Sequence, residues 1–208
     1  MENLAAALLA AEIVYCTVCA ARLRKTGETG PMAAWTVALA AAADLAFLLP
    51  RLLGKWAFPE LPGFWLGLGE LADALLSTGA WLMLYWLWER RFGGEIRDGL
   101  TFWTAVGGAL ARVLACAASA AALLRGESSR VWTMLRLLPL CFLAAAVVAV
   151  WRSIRLTRRR WLWALLIAAL GLRLSAAALD AVVDPIWLRL PLIGVHFGIF
   201  ICLREWQK

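Results

Sequence analysis

Residues 107–126 read GGALARVLACAASAAALLRG, an apolar run with one arginine, Arg112, near its middle. A membrane-spanning helix needs about 20 mostly apolar residues, and this run is long enough. A charge at membrane depth costs from about 2.5–3.5 kcal/mol on insertion scales to well above that in simulations, so it has to face a partner or water. The stretch therefore predicts a transmembrane helix whose neighbours bring polar groups to Arg112.

The composition of the whole chain is that of a membrane protein. It has 208 residues, 63% of them hydrophobic, and a mean hydropathy of +0.77, whereas soluble domains are about 45–50% apolar. Seven apolar segments of spanning length are predicted: 4–21, 32–53, 64–88, 100–124, 131–152, 161–183 and 186–203. They fill nearly the whole chain, so we expect one all-α, polytopic transmembrane bundle covering residues 1–208.

The number of spans depends on how the end of the chain is divided. Asp180, Asp184 and Pro185 leave only a tight turn between the last two segments. Six or eight spans therefore remain alternatives to seven.

Basic residues orient the predicted bundle, since Lys and Arg accumulate in short cytoplasmic loops. Thirteen of them follow the first, third, fifth and seventh segments, and five lie at the other ends. The N-terminus is therefore expected outside and the C-terminus in the cytoplasm of a multi-pass protein of the cell (inner or plasma) membrane. This orientation also accounts for the net charge of +7, so nucleic acid is not an expected partner.

Charged residues inside the predicted segments form two layers. The middle layer contains Glu12, Asp44, Arg112, Arg173 and the only histidine, His196. A second layer lies nearer the outside and contains Glu70, Asp73, Arg136, Asp180 and Arg189. The inner half is almost free of charge, which would result from an outward-facing polar cavity that reaches the midplane. Purely structural ion pairs, for example from Arg112 to Asp44, Glu12 or Asp73, would give the same pattern.

Helical spacing predicts which of these residues share a face. Glu70, Asp73 and Ser77 lie at positions i, i+3 and i+7, which is one stripe of a helix. Small residues also repeat every four positions in the fourth segment, at Gly107, Ala111, Ala115 and Ser119. Such a stripe allows a neighbouring helix to approach closely, and Arg112 is adjacent to it, so Arg112 is expected at a helix contact and not at lipid.

The sequence contains only weak motifs for a redox, metal or catalytic site. The pair Cys16 and Cys19 lies near the predicted cytoplasmic end of the first span, where disulfides rarely persist, and a structural zinc site needs four ligands. A single histidine argues against haem or multi-histidine metal sites. Ser77 and Ser175 lack a convincing base. No cofactor, no metal and no catalytic residue are predicted.

The leading hypothesis is a protein that binds and transports a small polar or charged solute through an outward-facing cavity. The predicted binding residues are Glu12, Asp44, Asp73, Arg112, Arg173 and His196, with Glu70 and Asp180 at the cavity entrance. One alternative is a membrane sensor or anchoring subunit, forming a homo-oligomer or holding a cytoplasmic partner at the arginine-rich loop 152–160. Another is an intramembrane enzyme that acts on lipid.

Overall fold

The computed structural model describes residues 2–56, 62–92 and 99–124, together with Ile193 and Leu203. These ranges form four α-helices, without a strand among them: α1 (Glu2–Leu23), α2 (Gly30–Trp56), α3 (Pro62–Phe92) and α4 (Gly99–Leu124). The first four predicted segments are therefore confirmed as helices, and each matches its prediction to within a few residues. The last three predicted segments, apart from Ile193 and Leu203, lie outside the described residues.

Two of the four helices are long and apolar enough to cross a membrane. They are Leu4–Leu23 within α1 and Gly30–Gly54 within α2, and α4 contributes a shorter apolar stretch, Ala105–Ala121. By length and composition, these segments indicate an association with a membrane.

The helices pack in chain order, α1 against α2, α2 against α3 and α3 against α4. Only a few residues separate consecutive helices, which is typical of antiparallel neighbours in a bundle. In the first connection, the Thr26 hydroxyl donates to the carbonyl of Leu23 at 2.7 Å and closes the end of α1. Gly27 follows with a φ of 54°, a left-handed conformation that favours glycine. The chain thus reverses within six residues.

In α1 and in α4 the buried residues lie along one face of the helix. In α1 the buried positions recur every three or four residues, and they include Glu12: Ala5, Leu9, Glu12, Cys16, Ala20 and Leu23. In α4 the buried face contains Arg112, as predicted, and it includes Ala115 and Ser119 of the predicted small-residue stripe but not Gly107. Gly107 is exposed and a Cβ added there would meet nothing within 4 Å. The buried face of α4 instead runs through Ala105, Gly108, Ala109, Arg112, Ala115, Cys116 and Ser119.

α2 and α3 approach each other closely at Gly69 of α3. A Cβ added to Gly69 would stand 2.6 Å from the carbonyl oxygen of Ala46 and 2.7 Å from Cγ of Pro50, both on α2. Further along the same interface, a Cβ on Gly79 would lie 3.4 Å from Cδ1 of Leu39. As α2 runs from residue 39 to residue 50, its contacts on α3 therefore run backwards from 79 to 69, which fixes the register of this antiparallel pair.

Candidate functional site

Each of the four helices buries at least one polar side chain near its middle. Four of these side chains are Glu12 on α1, Asp44 on α2, Ser77 on α3 and Arg112 on α4, with exposed fractions of 3%, 2%, 1% and 8%. Ionisable side chains are almost never fully buried unless they are paired. Three of them at the same relative position of three helices indicate a specific arrangement, which we call the midplane layer.

On the α3–α4 side of this layer, a direct hydrogen bond joins the helices. Nη2 of Arg112 donates to Oγ of Ser77 at 3.0 Å. The Ser77 hydroxyl in turn donates to the carbonyl oxygen of Ala74, one turn earlier, at 3.2 Å. Because its own proton is used within α3, Ser77 presents a lone pair to the guanidinium. The bond fixes Arg112 and Ser77 at one depth in the bundle.

On the α1–α2 side, the buried thiol of Cys16 lies one turn after Glu12 on α1. It is within electrostatic range of Glu12 on its own helix and of Asp44 on α2. All three side chains are buried. Both acids therefore lie on the α1–α2 side of the layer.

The register of α2 and α3 connects the two sides. Asp44 lies between Leu39, which is level with Gly79, and Ala46, which is level with Gly69. This places Asp44 level with the turn of α3 that contains Ala74 and leads to Ser77. Asp44 thus lies within about one turn of Ser77 in depth, and Ser77 accepts the hydrogen bond of Arg112 from α4.

Comparisons with protein-family models, with curated proteins and with solved structures all find no match. What the midplane layer does has to be inferred from its own chemistry.

Three of the predicted binding residues, Glu12, Asp44 and Arg112, are buried near the middles of the described helices. Predicted binding residues Arg173 and His196 lie outside the described part of the chain. Ser77, predicted on one stripe with Glu70 and Asp73 but not as a binding residue, is the hydrogen-bond partner of Arg112. The sequence did contain a signal for it, because Ser77 stands in the middle of the third predicted segment, in phase with Glu70 and Asp73.

A second polar contact lies nearer the predicted outer end of α2 and α3. Nη2 of Arg51 is 3.2 Å from Oε1 of Glu70, and Nη1 of Arg51 donates to the carbonyl of Phe47 at 3.0 Å. The guanidinium also lies 3.5 Å from the centroid of the Phe47 ring. Glu70, predicted at a cavity entrance, is thus held by a neighbouring helix, while Asp180, the other predicted entrance residue, is outside the described residues.

Asp73 links the two polar contacts along α3. It is half-buried and lies one turn after Glu70 and one turn before Ser77. The predicted stripe of Glu70, Asp73 and Ser77 is therefore present on α3, and it extends from the Arg51–Glu70 pair to the midplane layer. Within the four helices, no three side chains of His, Cys, Asp or Glu are placed to hold a metal ion together.

The Arg51–Glu70 pair is expected to contribute modestly to stability, because both side chains are partly exposed. We expect Glu70→Gln to destabilise the protein by about 1 kcal/mol or less, as is usual for partly solvated pairs. Reversing both charges, in Arg51→Glu with Glu70→Arg, should recover part of this loss but not the contact with Phe47. Thermal unfolding in detergent at low and high salt measures both effects. A loss of several kcal/mol for Glu70→Gln would contradict this expectation.

Proposed function

We propose that the chain is a multi-pass helical protein of the cell membrane whose midplane layer binds a small polar or charged solute and carries it across the bilayer. The observation behind this proposal is the burial of Glu12, Asp44 and Arg112 near the middle of three of the four described helices. Ionisable residues at membrane depth are costly and commonly mark paths for substrates or ions. Seven spans, with the N-terminus outside and the C-terminus cytoplasmic, are part of the proposal.

The distribution of large and small side chains supports the membrane location. Among the described residues, alanines make up about half of the buried apolar positions, whereas many leucines, valines and tryptophans face outward. In α1, only 22% of the most apolar window is buried, and Leu4, Leu8, Val14 and Val18 are exposed. Soluble proteins rarely expose continuous apolar surfaces of this kind. Small residues between helices and bulky ones outside are typical of membrane bundles.

The chemistry of the layer favours a solute with charge or strong polarity. Glu12 and Asp44 offer carboxylate oxygens to a cation, an ammonium group or a proton. Arg112 offers guanidinium N–H groups to a carboxylate or another anion, and Ser77 orients one of them. A zwitterion or a charged solute accompanied by a proton would satisfy both sides of the layer at once. Arg173 and His196 remain proposed members of this site, and Asp73 with the entrance residues Glu70 and Asp180 a proposed approach to it.

Substitutions that keep size but remove charge test the proposal. Purified protein in detergent is first screened by thermal unfolding with glycine, acetate, methylamine and inorganic phosphate, and a stabilising compound is then tested for uptake into liposomes. We expect one class of solute to stabilise the protein. Asp44→Asn is expected to abolish this stabilisation and the uptake.

Thr78→Val is the matched control for this experiment. Thr78 is buried beside Ser77, but its hydroxyl donates to the carbonyl of Ala74 at 2.6 Å, within its own helix. We expect Thr78→Val to bind and transport as the unmodified protein does. Folded Asp44→Asn protein that binds and transports normally would overturn the proposal and leave the midplane layer a structural tie.

A further inference from the structure

One end of the bundle combines exposed cations with exposed indole rings. The end of α1, the start of α2, the end of α3 and the start of α4 meet there, because the helices alternate in direction. The last turn of α1 and the turn that follows it contribute three exposed basic residues, Arg22, Arg24 and Lys25. Its exposed acid is Glu28, so this turn is positively charged.

Arg90 extends the basic surface from α1 to α3. Its side chain is exposed, and Nη1 lies 3.4 Å from the sulfur of Met32, in the first turn of α2. The guanidinium therefore lies over the α2–α3 contact, close to where the α1–α2 turn enters α2. Among the described residues, α1 with its following turn and α3 thus present cations at one end of the bundle.

Indole rings lie about one turn deeper than these cations. Trp35 follows Met32 by three residues on α2, and Trp86 precedes Arg90 by four residues on α3, with exposed fractions of 62% and 58%. Further along the same helices, the exposed side chains are aliphatic, as at Leu45 and Leu75. The surface thus changes from cationic to aromatic to aliphatic with depth, as a phospholipid changes from phosphate to glycerol region to acyl chain.

We propose that this surface binds anionic phospholipids in preference to zwitterionic ones. We call it the basic–aromatic rim: Arg22, Arg24, Lys25, Trp35, Trp86 and Arg90. Basic residues at a membrane surface attract anionic headgroups, and guanidinium groups form paired hydrogen bonds with phosphate. Tryptophan rings occupy the headgroup level of the bilayer and would hold the cations at the depth of the phosphates. The inference needs only insertion in a membrane and is independent of solute transport.

Native mass spectrometry of the full chain in detergent tests the rim directly. Dioleoylphosphatidylglycerol and dioleoylphosphatidylcholine are titrated separately, and their dissociation constants are compared. We expect the anionic lipid to bind the unmodified protein more tightly. Replacing Arg24, Lys25 and Arg90 together with glutamine should weaken phosphatidylglycerol binding roughly tenfold or more and leave phosphatidylcholine binding unchanged.

A second triple variant removes the same charge from the predicted opposite side of the membrane. Lys55, Arg125 and Arg130 are replaced with glutamine, and phosphatidylglycerol binding is expected to stay close to that of the unmodified protein. Equal losses in both triple variants would show that net charge alone attracts the lipid and would overturn the proposal. Unchanged phosphatidylglycerol binding in the rim variant would overturn it as well.

Discussion

Replacing Gly69 with alanine is expected to separate α2 from α3 and to destabilise the folded protein by about 1–3 kcal/mol, in the range measured for overpacked interiors. The new Cβ would lie 2.6 Å from the carbonyl oxygen of Ala46 and 2.7 Å from Cγ of Pro50. Neither obstacle is the flexible end of a side chain. One is backbone and the other is a ring fixed to the backbone, so the helices themselves have to move.

The sequence explains why α3 approaches α2 so closely at Gly69. Pro50 has no N–H, and therefore the carbonyl of Ala46 loses its usual helical donor four residues later. Gly69 lets α3 approach that carbonyl, with no side chain between them. Introducing Pro50→Ala beside Gly69→Ala would remove the ring but not the carbonyl, and we expect it to restore only part of the lost stability.

Gly79→Ala is the matched control on the same helix. Its new Cβ would lie 3.4 Å from Cδ1 of Leu39, the end of a side chain that can shift. Alanine also has a higher helix propensity than glycine by about 1 kcal/mol. We therefore expect Gly79→Ala to be neutral or stabilising in SDS-induced unfolding followed by tryptophan fluorescence. Equal losses of stability in Gly69→Ala and Gly79→Ala would contradict this explanation. They would show that α3 tolerates alanine poorly in general, and not that the close approach at Gly69 is the cause.

Hydrophobic run length was sufficient to predict the first four helices, because a helix that crosses a bilayer needs a continuous apolar stretch and little else. It could not predict which face of each helix packs inward. Gly107 shows why. Small residues recur on more than one face of α4, and the predicted stripe through Gly107 and Ala111 is as regular in the sequence as the buried face through Ala105 and Ala109.

Depth along the helices predicted part of the candidate site. Glu12, Asp44 and Arg112 were expected in one layer because each stands in the middle of its segment, and they are buried there. Predicting which of these residues contact each other requires the register of neighbouring helices. That register depends on the contacts of glycines such as Gly69 and Gly79. For the same reason, the sequence proposed carboxylates as partners of Arg112 and did not propose Ser77, whose hydroxyl receives its hydrogen bond.

Arg112→Met is expected to cause a large loss of stability. Methionine has a similar volume to arginine and is apolar. Apart from the loss of the charge, it is therefore well suited to the interior of a bundle. The substitution, however, removes the cation that lies in one layer with Glu12 and Asp44. Breaking a buried charge arrangement by removing one member costs about 3–5 kcal/mol. SDS-induced unfolding of purified protein measures this loss, and a stability equal to or above that of the unmodified protein would show that the charge of Arg112 is not required for folding.

Replacing Ser77 tests the contribution of its hydrogen bond to Arg112 while the charge of Arg112 is kept. Ser77→Ala takes away the acceptor of Nη2 and leaves the guanidinium in place, and a buried donor without its acceptor costs about 1–3 kcal/mol. Thr78→Val, which removes a hydroxyl that bonds only within α3, should cost less. In the double variant Ser77→Ala with Arg112→Met, we expect a coupling energy of about 0.5–3 kcal/mol, since the second change removes a bond that the first has already broken. Strictly additive losses would contradict a direct bond between the two side chains.

The same cycle distinguishes a tie between helices from a binding site. If Ser77 serves only to hold α3 against α4, Ser77→Ala lowers stability, while a bound solute stabilises the variant as much as it stabilises the unmodified protein. If Ser77 instead orients Arg112 toward a solute, Ser77→Ala leaves the guanidinium wrongly oriented and weakens binding. The solute then stabilises the variant less than it stabilises the unmodified protein. The role of Arg112 at the middle of α4 would then be to bind the solute. The interaction with the solute would offset the free energy that it costs to bury the guanidinium in the membrane.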